Sequence, residues 1–396
     1  MKNIRFYNDG INVENKRIIL RLDLNVPIKN GFINDTTRID LCLPFIKNLT
    51  DKKTKLIIIS HLGRPKNEHD KSLSLRPIYE YLKKKLNTKI LFFSDQLNNE
   101  SSNKLSNQKP GEIYIFENIR FQKGEMSNET EFSKNLASLC DIYINDAFSC
   151  SHRKQSSVHK ITSFVKDCYA GPLFKKEIKA IEMVIKSKKK PVTCVIGGSK
   201  VSTKIGVISN LIKKVDNLVI VGAMANNFLL YKGYKVGKSL IEENSKSTIK
   251  KLHDLANENN CEIIIPLDCT VSESTSGKPF QIELNQIKEN QIILDIGPKS
   301  INFISKKINE SNTVLWNGPA GYFENKNFAS GTIALAQLIS ENTSKKNLLS
   351  IVGGGDTVSA INTYTSNLKF THLSTAGGAF LEFLEGKNLP GIEVLK

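Results

Sequence analysis

Apolar and polar positions alternate along the whole chain in a repeated order. A short β-branched run is followed by a loop rich in Gly, Asp or Asn, and then by a helical segment. Strands separated in this way by helices are typical of parallel sheets built from βαβ units. Because eleven strands are many for one open sheet, we expect an α/β protein with two sheets. The predicted strands are 17–24, 55–60, 112–117, 140–145, 192–196, 218–222, 262–267, 291–295, 313–316, 348–352 and 370–374.

A domain boundary is predicted near residues 171–190. The chain has 396 residues, of which 40% are hydrophobic, and is long enough for two or three domains. Gly171-Pro172 opens a helical stretch that ends at Pro191. We therefore expect a first domain at 1–170, an interdomain helix at 171–190 and a second domain at 191–378.

The charge of the chain is strongly positive but dispersed. A formal charge of +17 raises the possibility of nucleic-acid binding. Lysines occur throughout, and no basic stretch with interleaved aromatics appears, so a solvated lysine surface is the better interpretation. No apolar run reaches the roughly 18 residues of a membrane span, and the N-terminus lacks the apolar core of a signal peptide. We expect a cytoplasmic protein that binds neither nucleic acid nor membrane.

The arginines are confined to the first 153 residues, and the other cations of the chain are lysines. A guanidinium is a rigid fork that grips phosphate or carboxylate in a bidentate manner, which an ammonium cannot do. Arg5, Arg17 and Arg76 are interpreted as surface ion pairs, and Arg21 as structural. The other four follow apolar runs, where α/β proteins place ligand-binding loops, and they indicate an anion site: Arg38, Arg64, Arg120 and Arg153.

Further polar groups accompany these arginines. RLDLNVP places Asp23 and Asn25 at the end of a strand, SHLGRP offers His61, and NDAFSCSHR offers His152. A single histidine is more often structural than a ligand, but two histidines among three arginine loops favour a binding site. Together these groups predict a site for a small phosphorylated acid.

Glycine-rich loops replace the arginines in the second half. LLSIVGGGDTVSAIN contains a strand, Gly353, Gly354 and Gly355, then Asp356 and Thr357 at the start of a helix. Such a loop lets backbone N–H groups approach a phosphate, and Asp356 would hold its Mg²⁺. A tight strand-to-helix turn is the alternative explanation.

Three other loops support a nucleotide site. GGSKVSTK places Lys200 and Lys204 four residues apart, on one face of a predicted helix, where both could reach a polyphosphate. STAGGAF is a third strand-to-helix turn, and WNGPAGYFE ends in Glu324, which is suitable for a ribose. Neither G-x-x-x-x-G-K-[ST] nor G-x-G-x-x-G is present, so a P-loop and a dinucleotide fingerprint are excluded.

In this combination and order the motifs resemble the phosphoglycerate kinase family. They cover essentially the whole chain: RLDLNVP, SHLGRP, ENIRF, DAFSCSHR, GGSKVSTKIGVI, KGYKVGKSL, LDIGP, LWNGPAGYFE, GGGDT and STAGGA. The resemblance implies two Rossmann-like lobes with parallel sheets joined by a helix, with residues from about 379 to 396 returning to the first lobe. It implies a monomer that transfers phosphoryl reversibly between MgATP and the carboxylate of 3-phosphoglycerate, giving MgADP and 1,3-bisphosphoglycerate.

The resemblance also implies residue roles. The acid-binding residues are Asp23, Asn25, Arg38, His61, Leu62, Gly63, Arg64, Arg120 and Arg153. The nucleotide-binding residues are Lys204, Glu324, Gly353, Gly354, Gly355, Asp356 and Thr357. The groups expected around the transferred phosphoryl are Arg38, Lys200 and the amides near Gly378, and closure of the two lobes is expected to bring the substrates together.

The chain departs from the family pattern at several positions. Val221, Ala223 and Asn227 stand where Gly, Gly and Thr are common, which could alter nucleotide affinity. Gln155 replaces a common histidine and Ala376 a usual glycine, and we expect both to be tolerated.

Two other function classes fit the sequence less well. A nicotinamide-dependent dehydrogenase shares the α/β architecture but needs the missing fingerprint and its ribose-binding acid. A nucleic-acid-binding protein would explain the charge but not the two sets of ligand loops, and its binding would weaken steeply with salt.

Overall fold

The computed structural model describes residues 3–66, 70–95, 97, 105, 107–187 and 189–396. The chain forms two compact units: the first runs to Ile178 and includes Asn388–Lys396, and the second is Lys179–Lys387. The division falls inside the helix Pro172–Ile185. Residue 188 of the predicted interdomain segment lies outside the described residues.

The first unit contains a six-stranded parallel sheet with spatial order β5-β6-β4-β1-β7-β8, and a β2–β3 ribbon. The strands are β1 Arg17–Arg21, β2 Ile28–Lys29, β3 Phe32–Ile33, β4 Lys55–Ile59, β5 Ile90–Phe93, β6 Ile113–Phe116, β7 Ile142–Asn145 and β8 Asp167–Ala170. β1 lies between β4 and β7, so the chain extends the sheet first to one side of β1 and then to the other. Ligands of α/β proteins bind beyond the carboxyl ends of strands at such a point.

The second unit has its own six-stranded parallel sheet, in the order β11-β10-β9-β15-β16-β17. Its strands and those of a smaller antiparallel sheet are β9 Val192–Ile196, β10 Asn217–Ile220, β11 Glu262–Ile264, β12 Asp268–Ser272, β13 Phe280–Glu283, β14 Ile292–Ile296, β15 Thr313–Asn317, β16 Leu349–Gly353 and β17 His372–Ser374. β9 lies between β10 and β15, which repeats the reversal of direction seen at β1.

Each of the two six-stranded sheets is packed against α-helices. The α-helices of the described residues are α1 Thr37–Asp51, α2 Arg76–Lys85, α3 Thr130–Ser138, α4 Pro172–Ile185, α5 Ile205–Ile212, α6 Ala225–Tyr231, α7 Lys246–Glu258, α8 Pro298–Glu310, α9 Ser330–Lys346, α10 Gly355–Tyr364, α11 Gly378–Leu384 and α12 Pro390–Glu393. Within these residues, no helix is long and apolar enough to cross a membrane.

The predicted α/β class with parallel sheets is confirmed, and each of the eleven predicted strands overlaps an observed one. The prediction of two sheets was incomplete. β12, β13 and β14 form an antiparallel sheet in the order β13-β12-β14, and β13 is too polar to stand out as an apolar run. The strands β5 and β8 at the edges of the first sheet were also missed.

Candidate active site

The predicted anion-binding residues of the first unit follow the carboxyl ends of its parallel strands. Asp23 and Asn25 follow β1, His61 follows β4, Arg120 follows β6 and Arg153 follows β7. Because these strands run in the same direction, the loops after them emerge at one edge of the sheet.

Asp23 and Arg38 form an ion pair that neighbouring groups hold in place. Arg38 Nη1 donates to Asp23 Oδ2 at 2.9 Å and to the carbonyl of Asn25 at 3.0 Å, and Ser149 Oγ donates to Asp23 Oδ2 at 2.6 Å. The backbone N–H of Asn25 donates to Asp23 Oδ1 at 3.1 Å. The carboxylate thus orients a half-buried guanidinium at the start of α1.

The loop after β4 is held by neighbouring polar groups. The backbone N–H of Gly63 donates to Asn25 Oδ1 at 2.9 Å, and Arg120 Nη1 donates to the Gly63 carbonyl at 2.5 Å. The Leu62 carbonyl accepts from Asn118 Nδ2 at 2.7 Å. Asn25, Gly63 and Arg120 are therefore brought together, as predicted from their motifs.

His61 lies among the arginines and is only 6% exposed. Burial lowers its pKa well below the usual value, and the nearby charges of Arg21, Arg120, Arg38 and Arg153 lower it further. His61 is therefore neutral at pH 7. Burial also lowers the pKa of Arg120 to about 10, which still leaves this guanidinium charged at neutral pH.

The remaining arginines differ in their surroundings. Arg153 Nε donates to His152 Nε2 at 3.1 Å, whereas Arg64 is exposed and no described contact joins it to the cluster. The predicted surface pairs are confirmed for Arg5 with Asp167 and for Arg17 with Asp141. Arg76 instead stacks over Phe92, with Cζ 4.8 Å from the ring centre.

In the second unit, glycine backbones approach one another at the carboxyl ends of β9 and β15. A Cβ added at Gly197 would lie 2.2 Å from the Pro319 carbonyl oxygen, and one at Gly318 would lie 2.3 Å from that of Gly197. Gly318 also has a φ of +101°, which favours glycine. Neither position has room for a side chain, so at Gly197 and Gly318 the loops present backbone groups.

Lys204 is a partly buried cation among these loops. Its Nζ donates to the Gly197 carbonyl at 2.5 Å and to Asn317 Oδ1 at 2.9 Å. Burial lowers its pKa to about 8, and the charge of Asp356 opposes that shift. An anion bound beside Lys204 would favour its protonated form.

The loop after β16 turns directly into α10. Gly354 takes a φ of +102°, Asp356 lies in the first turn of the helix, and both Gly355 and Asp356 are exposed. Thr357 is buried, and its Oγ1 accepts from the backbone N–H of Gly318 at 2.7 Å. This contact joins the turn to the loop after β15, with the N-terminus of α10 open to an anion.

A cavity of about 480 Å³ adjoins these loops, a volume suited to a small-molecule ligand. Glu324 and Asp356 supply charged groups to its lining. Its apolar lining residues include Ala223, Leu229, Leu240, Pro266, Ile292, Ile293, Leu294, Ile296, Pro319, Ala320 and Phe323.

The residues that depart from the family pattern have different surroundings. Ala223 lines the cavity, whereas Val221 and Asn227 are buried outside its lining. Asn227 Oδ1 accepts from the backbone N–H of Glu242 at 2.8 Å and from Ser245 Oγ at 3.2 Å. Asn227 therefore holds a loop in place.

The prediction that Lys200 and Lys204 share a helix face was wrong. The segment Ser202–Lys204 is a 3₁₀ turn and α5 begins at Ile205, so Lys200 precedes the helix. Lys200 is exposed, while Lys204 points inward. Gly378 is exposed at the first residue of α11.

Asn317 was missed by the sequence analysis. Its side chain bonds both Lys204 and, through Nδ2 at 2.9 Å, the carbonyl of Gly353. A polar residue at the carboxyl end of a strand was the available signal, although Glu324 is the more conspicuous polar group within LWNGPAGYFE. Among the described residues, no three His, Cys, Asp or Glu side chains form a metal-binding cluster.

Known proteins resemble the chain along almost its full length. The family model described as phosphoglycerate kinase matches residues 8–387. A phosphoglycerate kinase of Wolbachia sp. subsp. Drosophila simulans is 43% identical over 390 residues, which cover 98% of each chain. The phosphoglycerate kinase of Dictyoglomus turgidum is 43% identical over 386 residues, covering 97% of this chain and 96% of the relative.

Solved structures agree with these relatives. The structure of phosphoglycerate kinase from Coxiella burnetii matches with a TM-score of 0.88 and 40% identity, and covers 98% of both chains. That from Pyrococcus horikoshii matches with a TM-score of 0.84 and 29% identity, again over 98% of both chains.

An arginine cluster on one α/β unit and glycine loops beside a cavity on another define a transferase that handles anionic substrates. Its reaction is the phosphoryl transfer between ATP and 3-phosphoglycerate in glycolysis. The chain belongs to the phosphoglycerate kinase family.

Proposed function

We propose that the first unit binds 3-phosphoglycerate through the groups around His61. The observation that carries this assignment is the cluster of arginines whose charges act on that buried ring. The proposed ligands are Asp23, Asn25, Arg38, His61, Leu62, Gly63, Arg64, Arg120 and Arg153. Arginines suit this role because the acid offers a phosphate and a carboxylate, both of which accept forked hydrogen bonds.

The nucleotide is assigned to the second unit. Gly353, Gly354 and Gly355 form the turn into α10, and the helix N-terminus, where Gly355 and Asp356 are exposed, is assigned to the triphosphate. Lys204 supplies a positive charge from the adjoining loop. Thr357 holds the turn, and the 480 Å³ cavity with Glu324 on its lining is assigned to the nucleoside.

The residues present also fit a magnesium ion that arrives with the nucleotide. Asp356 is an exposed carboxylate in the first turn of α10, and Mg²⁺ commonly binds one or two carboxylates together with substrate phosphates and water. Bound there, the ion would neutralise charge on the phosphate oxygens. We assign Asp356 as its protein ligand.

The chain itself supplies positioning and charge to the reaction. The attacking carboxylate of 3-phosphoglycerate is ionised at pH 7, so no general base is required. We assign three groups to stabilising the negative charge on the transferred phosphoryl group: Arg38 of the first unit, and Lys200 and the Gly378 amide of the second. A pair of opposite charges 4 Å apart is worth about 4 kcal/mol at an effective dielectric of about 20, before desolvation.

The protein is further proposed to act as a cytoplasmic monomer with no role for nucleic acid. The glycolytic reaction of the family and the dispersed lysines support this assignment.

A coupled assay with 3-phosphoglycerate, ATP and Mg²⁺ tests the proposal by following acyl phosphate formation. Turnover that saturates in both substrates and stops on chelation of Mg²⁺ is expected. A folded protein with no turnover, but with salt-sensitive DNA binding, would contradict it.

A further inference from the structure

Arg21 is a fully buried arginine at the end of β1. Its Nε donates to Ser157 Oγ at 3.1 Å, its Nη1 donates to the Leu22 carbonyl, and its Nη2 is 3.2 Å from His61 Nδ1 and 3.6 Å from Cys150 Sγ. No carboxylate of the described residues bonds it directly. Because burying an isolated charge is costly, a compensating group is expected nearby.

That group is Glu125, which is also fully buried. Glu125 Oε1 accepts from Ser157 Oγ at 2.7 Å, and Oε2 accepts from the Ser157 backbone N–H at 2.8 Å. The serine hydroxyl therefore donates to Glu125 while its oxygen accepts from Arg21. Burial raises the pKa of Glu125, but the charge of Arg21 and the two bonds from Ser157 favour the carboxylate.

The contact between Arg21 and His61 determines which ring nitrogen carries the proton. A guanidinium has N–H donors and no acceptor, so His61 Nδ1 must be the unprotonated, accepting nitrogen. A neutral imidazole then carries its proton on Nε2. Within the described residues Nε2 has no hydrogen-bond partner, and its N–H remains available to a ligand.

We propose that Arg21, held by Ser157 and Glu125, is a positioning residue that fixes His61 as the Nε2–H tautomer, which donates to an anionic oxygen of the acid substrate. His61 then contributes one oriented donor, and no proton leaves or reaches the ring during the reaction. The inference rests on the proposed role of His61 in binding 3-phosphoglycerate.

Two substitutions of Arg21 separate tautomer control from simple packing. Arg21→Lys retains a group that can only donate, whereas Arg21→Gln introduces an oxygen that can accept from Nδ1–H. Arg17→Gln is the matched control, because Arg17 lies on the same strand but is partly exposed and paired with Asp141.

The first measurement is ¹⁵N NMR of the histidine rings in substrate-free protein, with the His61 signals assigned by their loss in His61→Gln. The chain has six histidines. Wild type, Arg17→Gln and Arg21→Lys are expected to show the Nε2–H form, and Arg21→Gln a mixture of tautomers. If Arg21→Gln does not fold, Ser157→Ala, which removes the link to Glu125, is expected to give the mixture. The inference is overturned if the wild-type ring carries its proton on Nδ1, or if neither Arg21→Gln nor Ser157→Ala changes the tautomer.

The second measurement is the KM of each substrate. Arg21→Gln is expected to raise the KM for 3-phosphoglycerate about tenfold, the scale of losing one hydrogen bond to a charged group, and to leave the KM for ATP unchanged. Arg21→Lys should restore most of the loss. A changed tautomer with an unchanged KM would support the positioning of the ring and overturn the assignment of His61 to the substrate, so the two failures are distinguishable.

Discussion

The two units present loops at the carboxyl ends of similar parallel sheets, but they prepare for anions in different ways. Around His61 the groups are side chains, such as the Arg38–Asp23 pair at 2.9 Å. Around Lys204 most groups are backbone, because the close approach of Gly197 and Gly318 leaves no room for a Cβ. The same kind of sheet edge thus carries a site built from side chains and one built from backbone.

The difference matches the shapes of the two proposed ligands. A small acid with charges at both ends is held by rigid forked donors from several directions. A polyphosphate is a flexible chain whose negative charge is spread over many oxygens. Backbone N–H groups at a helix N-terminus, together with one lysine, can bind such a chain. We therefore expect removal of a side chain to impair the first site, and addition of a side chain to impair the second.

The largest expected effect is from Arg38→Ala, which removes a side chain from the first site. Turnover should fall at least about a hundredfold, the scale of losing one oriented charge in the transition state. The Kd of MgATP, measured by calorimetry, should be nearly unchanged. Arg17→Ala is the control, because its pair with Asp141 lies at the surface. Near-normal turnover of Arg38→Ala would remove the assigned role of Arg38.

Adding a side chain tests the second site. Gly318→Ala should lower the free energy of unfolding by about 3 kcal/mol, because its methyl meets backbone and its φ is +101°. Gly355→Ala meets nothing within 4 Å, so it should leave stability intact and weaken MgATP binding alone. Thermal unfolding with and without MgATP measures both effects. Equal stability of the two variants would show that close backbone approach does not shape this site.

Except for the edge strands β5 and β8, the sequence predicted the strands of the parallel sheets, and it predicted the polar and glycine-rich loops after them, for a physical reason. Buried parallel strands are continuous apolar runs, and polar or glycine-rich residues directly after them mark ligand loops. β12, which begins at Asp268, and the partly exposed β13 both lack a continuous apolar run, so the antiparallel sheet was not predicted.

Contacts between distant side chains could not be read in the same way. Asn317 bonds Lys204 across 113 residues, and Arg21 meets His61 across 40. Arg21 was interpreted as structural from its position inside a strand, and its contact with His61 appears only when β1 and β4 are paired. The exposure of Lys200 also depended on where α5 begins, a boundary that one-dimensional patterns locate poorly.

A pH series compares the charges of the two sites. The pKa of Lys204 is lowered to about 8, so MgATP affinity should fall about tenfold from pH 7 to about pH 9, as the free protein loses this proton. The pKa of Arg120 is about 10, and 3-phosphoglycerate affinity should change little over that range. Calorimetry across the range measures both affinities, and Lys204→Met should show weak MgATP binding with little pH dependence.

The same shift has a consequence for stability. Between about pH 8 and the usual lysine pKa, the unfolded chain binds more protons at this position than the folded one. The contribution of Lys204 to the free energy of unfolding therefore rises with pH in this window, while MgATP affinity falls. If the free energy of unfolding and the MgATP affinity both fell with rising pH, Lys204 would not be the group whose deprotonation weakens MgATP binding.

The smallest effects are expected at the residues that depart from the family pattern, and they divide by position. Ala223→Gly removes a methyl from the cavity lining and should weaken MgATP binding about threefold, the scale of one buried methyl group. Asn227→Thr should leave that Kd within about twofold, because Asn227 lies outside the lining, and should lower stability by about 1 kcal/mol through lost bonds to Glu242 and Ser245. Calorimetry and denaturant unfolding of both variants make the comparison. A larger loss of affinity in Asn227→Thr than in Ala223→Gly would mean that the loop held by Asn227, rather than the cavity lining, sets nucleotide affinity.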